Sequence, residues 1–207
     1  MRSIVLSVLC LVGFASTSVL AADAREPVND RYCTTCHGTD GRGNEGVQAP
    51  RLAGMEDWYL RHQLENFRAG VRGTHPQDEE GLAMQPMAAK LSDASIDDIV
   101  GWVGSWTYVP AEPTLTGDVN AGQRLYQTCA TCHGQNGEGN ATFNAPALAG
   151  QNDWYLVTQL QNFMAGYRGA HPQDARGAQM RTMAKSLGNE QGIINVVAFI
   201  NTLGRSK

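Results

Sequence analysis

Between Asp57 and Gly70 the apolar residues Leu60, Leu64 and Phe67 recur at i, i+4 and i+7, with polar side chains between them. That spacing predicts a helix with one buried stripe, with Asp57 as its N-cap and Gly70 as its stop. Ile96, Ile99, Val100 and Val103 form a second stripe, for which Ser92 or Ser95 is the candidate cap. Gly101 and Gly104 lower the intrinsic stability of that helix, and close approach of another helix is one reason to keep them. A further helix leads into Cys129 through "NAGQRLYQTCATCHG", with a counterpart ahead of Cys33. The stretch "GTDGRGNEGVQAPRLAG" has the composition of loop, and no segment alternates as a strand would. The expectation is an all-α chain.

The pattern occurs twice. Shifting the sequence by 96 residues lays Cys33 on Cys129, His37 on His133, Pro50 on Pro146, Trp58 on Trp154 and Met84 on Met180. "DWYLRHQLENFRAGVRGTHPQD" then faces "DWYLVTQLQNFMAGYRGAHPQD". Two copies are too few for a solenoid and read as tandem domains. Pro110 and Pro113 give the joining stretch a stiff, extended character. The expected boundaries are an N-terminal domain at 23–109, a linker at 110–117 and a C-terminal domain at 118–207. Each unit has three or so helices and long loops, a thin core for its size, so something should occupy its centre.

The N-terminus has a positive start at Arg2, an apolar run from Ile4 to Phe14, and small residues at Ala21, Ala22 and Ala24, which sets residues 1–22 apart. This is the build of a cleaved export signal, with cleavage near Ala21–Ala24. The implied location is the periplasm, with peripheral membrane association left open. The remaining cysteines, Cys33, Cys36, Cys129 and Cys132, all lie in "CTTCHG" and "CATCHG".

Cys-x-x-Cys alone fits a redox dithiol, half a zinc site or a disulfide. A dithiol of the thioredoxin kind belongs beside a βαβ pattern, which is not visible, and zinc requires a fourth ligand that neither half offers plainly. The histidine directly after the second cysteine changes the reading. Two thiols one helical turn apart can each add to a vinyl group of one haem, and the next residue turns its imidazole to the iron. Two covalently bound haem c groups are therefore expected, with thioethers at Cys33, Cys36, Cys129 and Cys132. His37 and His133 then serve as proximal ligands. A flat apolar haem would also fill the centre of each thin unit.

With "APRLAG"/"APALAG", "WYLRHQLENFRAG"/"WYLVTQLQNFMAG" and "MQPMAAKLS"/"MRTMAKSLG" in the same order, the chain resembles class I cytochromes c in duplicated form. It is similar to the dihaem cytochrome c4 family over the whole mature length. The resemblance implies a methionine ligand in a loop before the last helix, matching Met84 and Met180. Met87, Met183, His75 and His171 are the other candidates. Met87 and Met183 also read as core filling, and the two histidines precede proline in what look like surface turns. The resemblance further implies that the Pro50 and Pro146 carbonyls accept the second N–H of the proximal histidines. Arg51 is a candidate propionate partner, although Ala147 replaces it in the second half. His62, matched by Thr158, reads as a surface helix residue.

The formal net charge of −4 lacks the basic stripe of a nucleic-acid binder. Residues 25–111 carry 8 basic and 13 acidic side chains and residues 112–207 carry 7 and 6, an asymmetry that can orient a diffusing carrier. His/Met ligation raises the potential and fills the sixth site. The implied function is electron carriage rather than catalysis. The donor would be a quinol:cytochrome c oxidoreductase or a dehydrogenase, and the acceptor a terminal oxidase or reductase. A haem enzyme (a dihaem peroxidase or sulfur-compound dehydrogenase) and a fixed subunit of a respiratory complex are the alternatives.

Overall fold

The computed structural model describes residues 30–204, so the expected export signal at 1–22 lies outside the described residues. Among the described residues the chain is helical, and its β pairing is limited to two isolated bridges, Asn44–Ala49 and Asn140–Ala145. The first half comprises α1 (Asp30–His37), α2 (Asp57–Arg68), α3 (Glu79–Ala88) and α4 (Asp93–Gly104). The second comprises α5 (Val119–His133), α6 (Asp153–Ala165), α7 (Ala175–Ala184) and α8 (Glu190–Ile200).

The apolar stripes do what their spacing demands. Ile96, Ile99, Val100 and Val103 of α4 are buried against Leu60 and Leu64 of α2. Ile193, Val196, Val197 and Ile200 of α8 pack with Tyr126 and Ala130 of α5 and Leu156 of α6. Each fully buried aliphatic side chain contributes about 1.5–3 kcal/mol of transfer free energy. The two clusters are separate, one per half.

Four local expectations are corrected. Helices α3 and α7 stand where the resemblance implied a methionine-bearing loop, making four α-helices per half among the described residues where three or so were expected. They escape a periodicity search because each buries only a glycine and an alanine, Gly81 and Ala88 in one and Gly177 and Ala184 in the other. Their starts are fixed instead by Asp78 and Asp174, whose side chains accept from the amides of Gly81 (3.2 Å) and Gly177 (2.8 Å). Second, Asp57 is the first residue of α2 and not its cap; Glu56 occupies the cap position without a side-chain bond to the helix. Ser92 caps α4, its hydroxyl accepting from Ser95 N at 3.1 Å. Third, a Cβ on Gly101 would meet nothing beyond its own helix within 4 Å among the described residues, whereas one on Gly104 would sit 3.4 Å from Asp57 Oδ1 of α2, an ordinary contact. The close helix approach occurs at Gly122 of α5, where a Cβ would collide with the Asn195 carbonyl of α8. Fourth, the "HPQD" turns expose Pro76, Gln77, Pro172 and Gln173 as expected, but their histidines and aspartates are not open surface. His75 is half-buried and stacks on Tyr167 of the other half, with centroids 4.7 Å apart.

The halves meet along a polar seam with twofold character. The Gln63 side-chain oxygen accepts from Arg72 (2.6 Å) of its own half and from Arg168 (2.9 Å) of the other. Its repeat mate Gln159 accepts from Arg168 (2.7 Å) and Arg72 (3.0 Å). Each guanidinium also lies 4.5 Å over a phenylalanine ring, Arg72 on Phe67 and Arg168 on Phe163. Buried charge is costly unless its donors find acceptors, and this closed square engages Nη1 and Nη2 of both arginines with neutral acceptors, leaving Arg72 Nε buried outside it. The joining stretch runs over α6, whose first residue, Asp153, is almost fully buried beneath it.

Candidate haem centres

The backbone brings each cysteine pair and histidine to the end of a helix and then folds the loop back over it. Helix α5 stops at His133 because Gly134 adopts φ 84°, which favours glycine. The loop returns as Gly139 N donates to His133 O (2.8 Å) and as Leu148 N and Ala149 N donate to Gly137 O (2.8 and 3.1 Å). The first half repeats this with Gly43 N to His37 O (2.9 Å) and with Leu52 N and Ala53 N to Gly41 O (2.9 and 3.0 Å).

The returning loops carry Pro50 and Pro146 onto the histidines. His37 Nδ1 lies 2.7 Å from Pro50 O, and His133 Nδ1 lies 2.7 Å from Pro146 O. A proline carbonyl can only accept, so Nδ1 carries the hydrogen and Nε2 keeps its lone pair. Both rings are 5% exposed. Burial pushes their pKa below the ordinary histidine value, against the opposing pull of the proline carbonyls. A neutral imidazole with its tautomer fixed is the form that ligates a metal.

In the second half Cys129, His133, Pro146 and Met180 line one cavity, closed by apolar residues such as Leu156 and Val196. Met180 and its repeat mate Met84 are half-buried, whereas Met87 is 49% exposed. His75 and His171 line a different groove at the seam. His62, read from sequence as a surface residue, is half-buried. It bonds Asn66 Nδ2 at 3.2 Å and lines the cavity of the second half. Arg51 is 3% exposed and lines that cavity too, its guanidinium 5.5 Å over the Tyr108 ring.

The donor set fits a covalently held haem better than the alternatives. Burial raises the Cys129 pKa, the reverse of what a reactive dithiol needs. Among the described residues no three His, Cys, Asp or Glu side chains gather as a metal-ion cage, as zinc would require. A largely apolar cavity lined by the Cys129 thiol, an Nδ1-anchored imidazole and a thioether, with Cys132 next in the same motif, is what an iron porphyrin requires.

Sequence reasoning missed Gln63, Arg72, Gln159 and Arg168, although the repeat showed each pair to be identical. It also missed Glu56 and Asn152, which occupy one repeat position and reach across the seam. Glu56 Oε1 accepts from Ala147 N (3.0 Å), and Asn152 Oδ1 accepts from Arg51 N (2.7 Å).

Comparison with known proteins agrees with this geometry. The cytochrome c family model matches residues 21–107 and again 119–204. The chain belongs to the cytochrome c family. It is 30% identical to cytochrome c4 of Azotobacter vinelandii, over 98% of this chain and 100% of that one. It is 36% identical to a thiosulfate dehydrogenase electron acceptor of Stutzerimonas stutzeri (strain A1501), over 73% of this chain and 72% of the relative. The structure of reduced cytochrome c4 from Pseudomonas stutzeri superposes with a TM-score of 0.63 at 28% identity, covering 84% of this chain and 94% of that one. This cytochrome c is thus all-α with two tandem domains, carries two covalently bound haem c groups and is a dihaem electron-transfer protein.

Proposed function

We propose that this cytochrome is an exported electron carrier and not an enzyme. Cys33, Cys36, Cys129 and Cys132 hold the haems, with His37 and Met84 as axial ligands in the first half and His133 and Met180 in the second. It takes electrons from a quinol-oxidising complex or a dehydrogenase and delivers them to a terminal oxidase or reductase. It acts in the periplasm, in solution or in association with the membrane surface. The observation that carries the reading is the single cavity shared by Cys129, His133 and Met180. Bound haem supplies a one-electron Fe(III)/Fe(II) couple. The protein's own contribution is to fix the imidazole through a proline carbonyl, to offer a neutral thioether and to keep water from the buried rings. His37 and Met84, and His133 and Met180, would hold the two irons and would leave a substrate no iron position to coordinate.

Spectroelectrochemical titration of Met84→Ala and Met180→Ala tests this. The parent should show two low-spin haems unreactive to carbon monoxide. Each variant should lose the methionine–iron charge-transfer band of one haem and lower one midpoint potential. A parent with a high-spin haem, or variants with unaltered spectra, would overturn the reading in favour of an enzyme or of other ligands.

A further inference from the structure

The peptides that anchor the two histidines are each bonded on their far side by the opposite half. The carbonyl of the Pro50–Arg51 peptide accepts from His37 Nδ1, and the N–H of the same peptide donates to Asn152 Oδ1 at 2.7 Å. The carbonyl of the Pro146–Ala147 peptide accepts from His133 Nδ1, and its N–H donates to Glu56 Oε1 at 3.0 Å. Glu56 and Asn152 are related by the 96-residue repeat, so the two bridges are the same device used in both directions. The acceptor differs between them, a carboxylate in one and a neutral amide in the other.

The close fit of these bridges shows in the glycines beneath them. A Cβ on Gly43 would lie 2.7 Å from Arg51 N and 2.5 Å from Asn152 Oδ1, and one on Gly139 would lie 2.5 Å from Ala147 N. The first bridge is braced further by Asn152 Nδ2 on Arg42 O (3.3 Å) and Gln151 Nε2 on Arg51 O (3.1 Å).

We propose that Glu56 and Asn152 are positioning residues that act across the seam. Each polarises the peptide holding the other half's proximal histidine, and the carboxylate does so more strongly than the amide. The proposal rests on the assignment of His37 and His133 as proximal ligands. Hydrogen bonds in series through one peptide strengthen one another, and those to a charged acceptor are roughly twice as strong as neutral ones. An anion on the Ala147 N–H makes the Pro146 oxygen a better acceptor. That oxygen then draws the Nδ1 hydrogen of His133 and raises the donor strength of its Nε2. A stronger imidazole donor favours the ferric state. Each half therefore tunes the centre of the other, and the tuning is unequal.

The test uses the full holoprotein and the isosteric pair Glu56→Gln and Asn152→Asp. Two readouts are taken: the midpoint potential of each centre, and the NMR position of each proximal Nδ1–H. Glu56→Gln should change the ferrous-to-ferric ratio of the C-terminal centre about three- to tenfold toward ferrous at a fixed solution potential. For a one-electron couple a tenfold change is about 59 mV. It should also shift the His133 Nδ1–H resonance while leaving that of His37 in place. Asn152→Asp should move the N-terminal centre in the opposite direction. Hydrogen exchange at the Ala147 amide, slow in the parent and faster in Glu56→Ala, provides a check should either isosteric variant fold poorly. Ratios within twofold of the parent, or a potential change without movement of the Nδ1–H resonance, would overturn the proposal with the ligand assignment intact. Absence of iron-shifted imidazole resonances in the parent would overturn both.

Discussion

Asp153 holds Thr114 with both carboxylate oxygens, Oδ2 accepting the backbone N–H at 2.6 Å and Oδ1 the hydroxyl at 2.7 Å. Oδ2 also accepts from Leu115 N and Asn201 Nδ2, each at 3.0 Å. One buried carboxylate thus ties the joining stretch and the C-terminal end of α8 to the start of α6. Burial alone would raise its pKa, but these donors together hold it below the ordinary carboxylate value.

Asp153→Asn should cost about 2 kcal/mol at neutral pH, since it turns charge-assisted bonds into weaker or broken ones. The sign of the pH effect follows from a depressed native pKa. The stability from this group is fully present above the unfolded-state value of about 3.9 and is lost as pH falls through the native value. Denaturant titrations between neutral and acidic pH should show a shallower acid limb in the variant. Asp57→Asn, at the exposed equivalent position, should stay within about 0.5 kcal/mol of the parent.

Gly122→Ala should destabilise, against helix propensity. Alanine gains about 1 kcal/mol in a helix interior. Here its methyl would collide with the Asn195 carbonyl of α8, and forcing the helices apart should cost about 2 kcal/mol net. Gly101→Ala places the same methyl in open space among the described residues and should stabilise by about 0.7 kcal/mol. Urea denaturation of the two holoproteins should give opposite signs.

Gln63→Ala and Gln159→Ala should each cost about 1–3 kcal/mol, since each leaves a donor of both arginines without its acceptor. Both break the same square, so the double variant should cost less than the sum, with a coupling of about 1 kcal/mol. Small-angle scattering should show a larger radius of gyration once the seam opens. Strict additivity with unchanged dimensions would contradict the role given to the square.

Legibility in the sequence depended on whether a residue's task is local. The Cys-x-x-Cys-His runs and the stripe from Ile96 to Val103 obey spacing rules that hold wherever the helix lies, and both could be read directly. Helices α3 and α7 were hidden because no large apolar side chain lies buried in either. Arg72, Gln63 and Glu56 are polar residues of the kind that normally face water, and their bonds to the opposite half form only where the two halves meet. Asp57 and Asp153 are identical in type and repeat position, yet only the second lies beneath the joining stretch. No local pattern distinguishes them.

The closed square also limits how the duplicated sequence can diverge. After a duplication, each copy is ordinarily free to drift while the other retains the ancestral residue. At Gln63, Arg72, Gln159 and Arg168 that freedom is lost, because a change in one copy removes a partner from the other. Neighbouring positions outside the square have separated, as His62 has from Thr158 and Val71 from Tyr167.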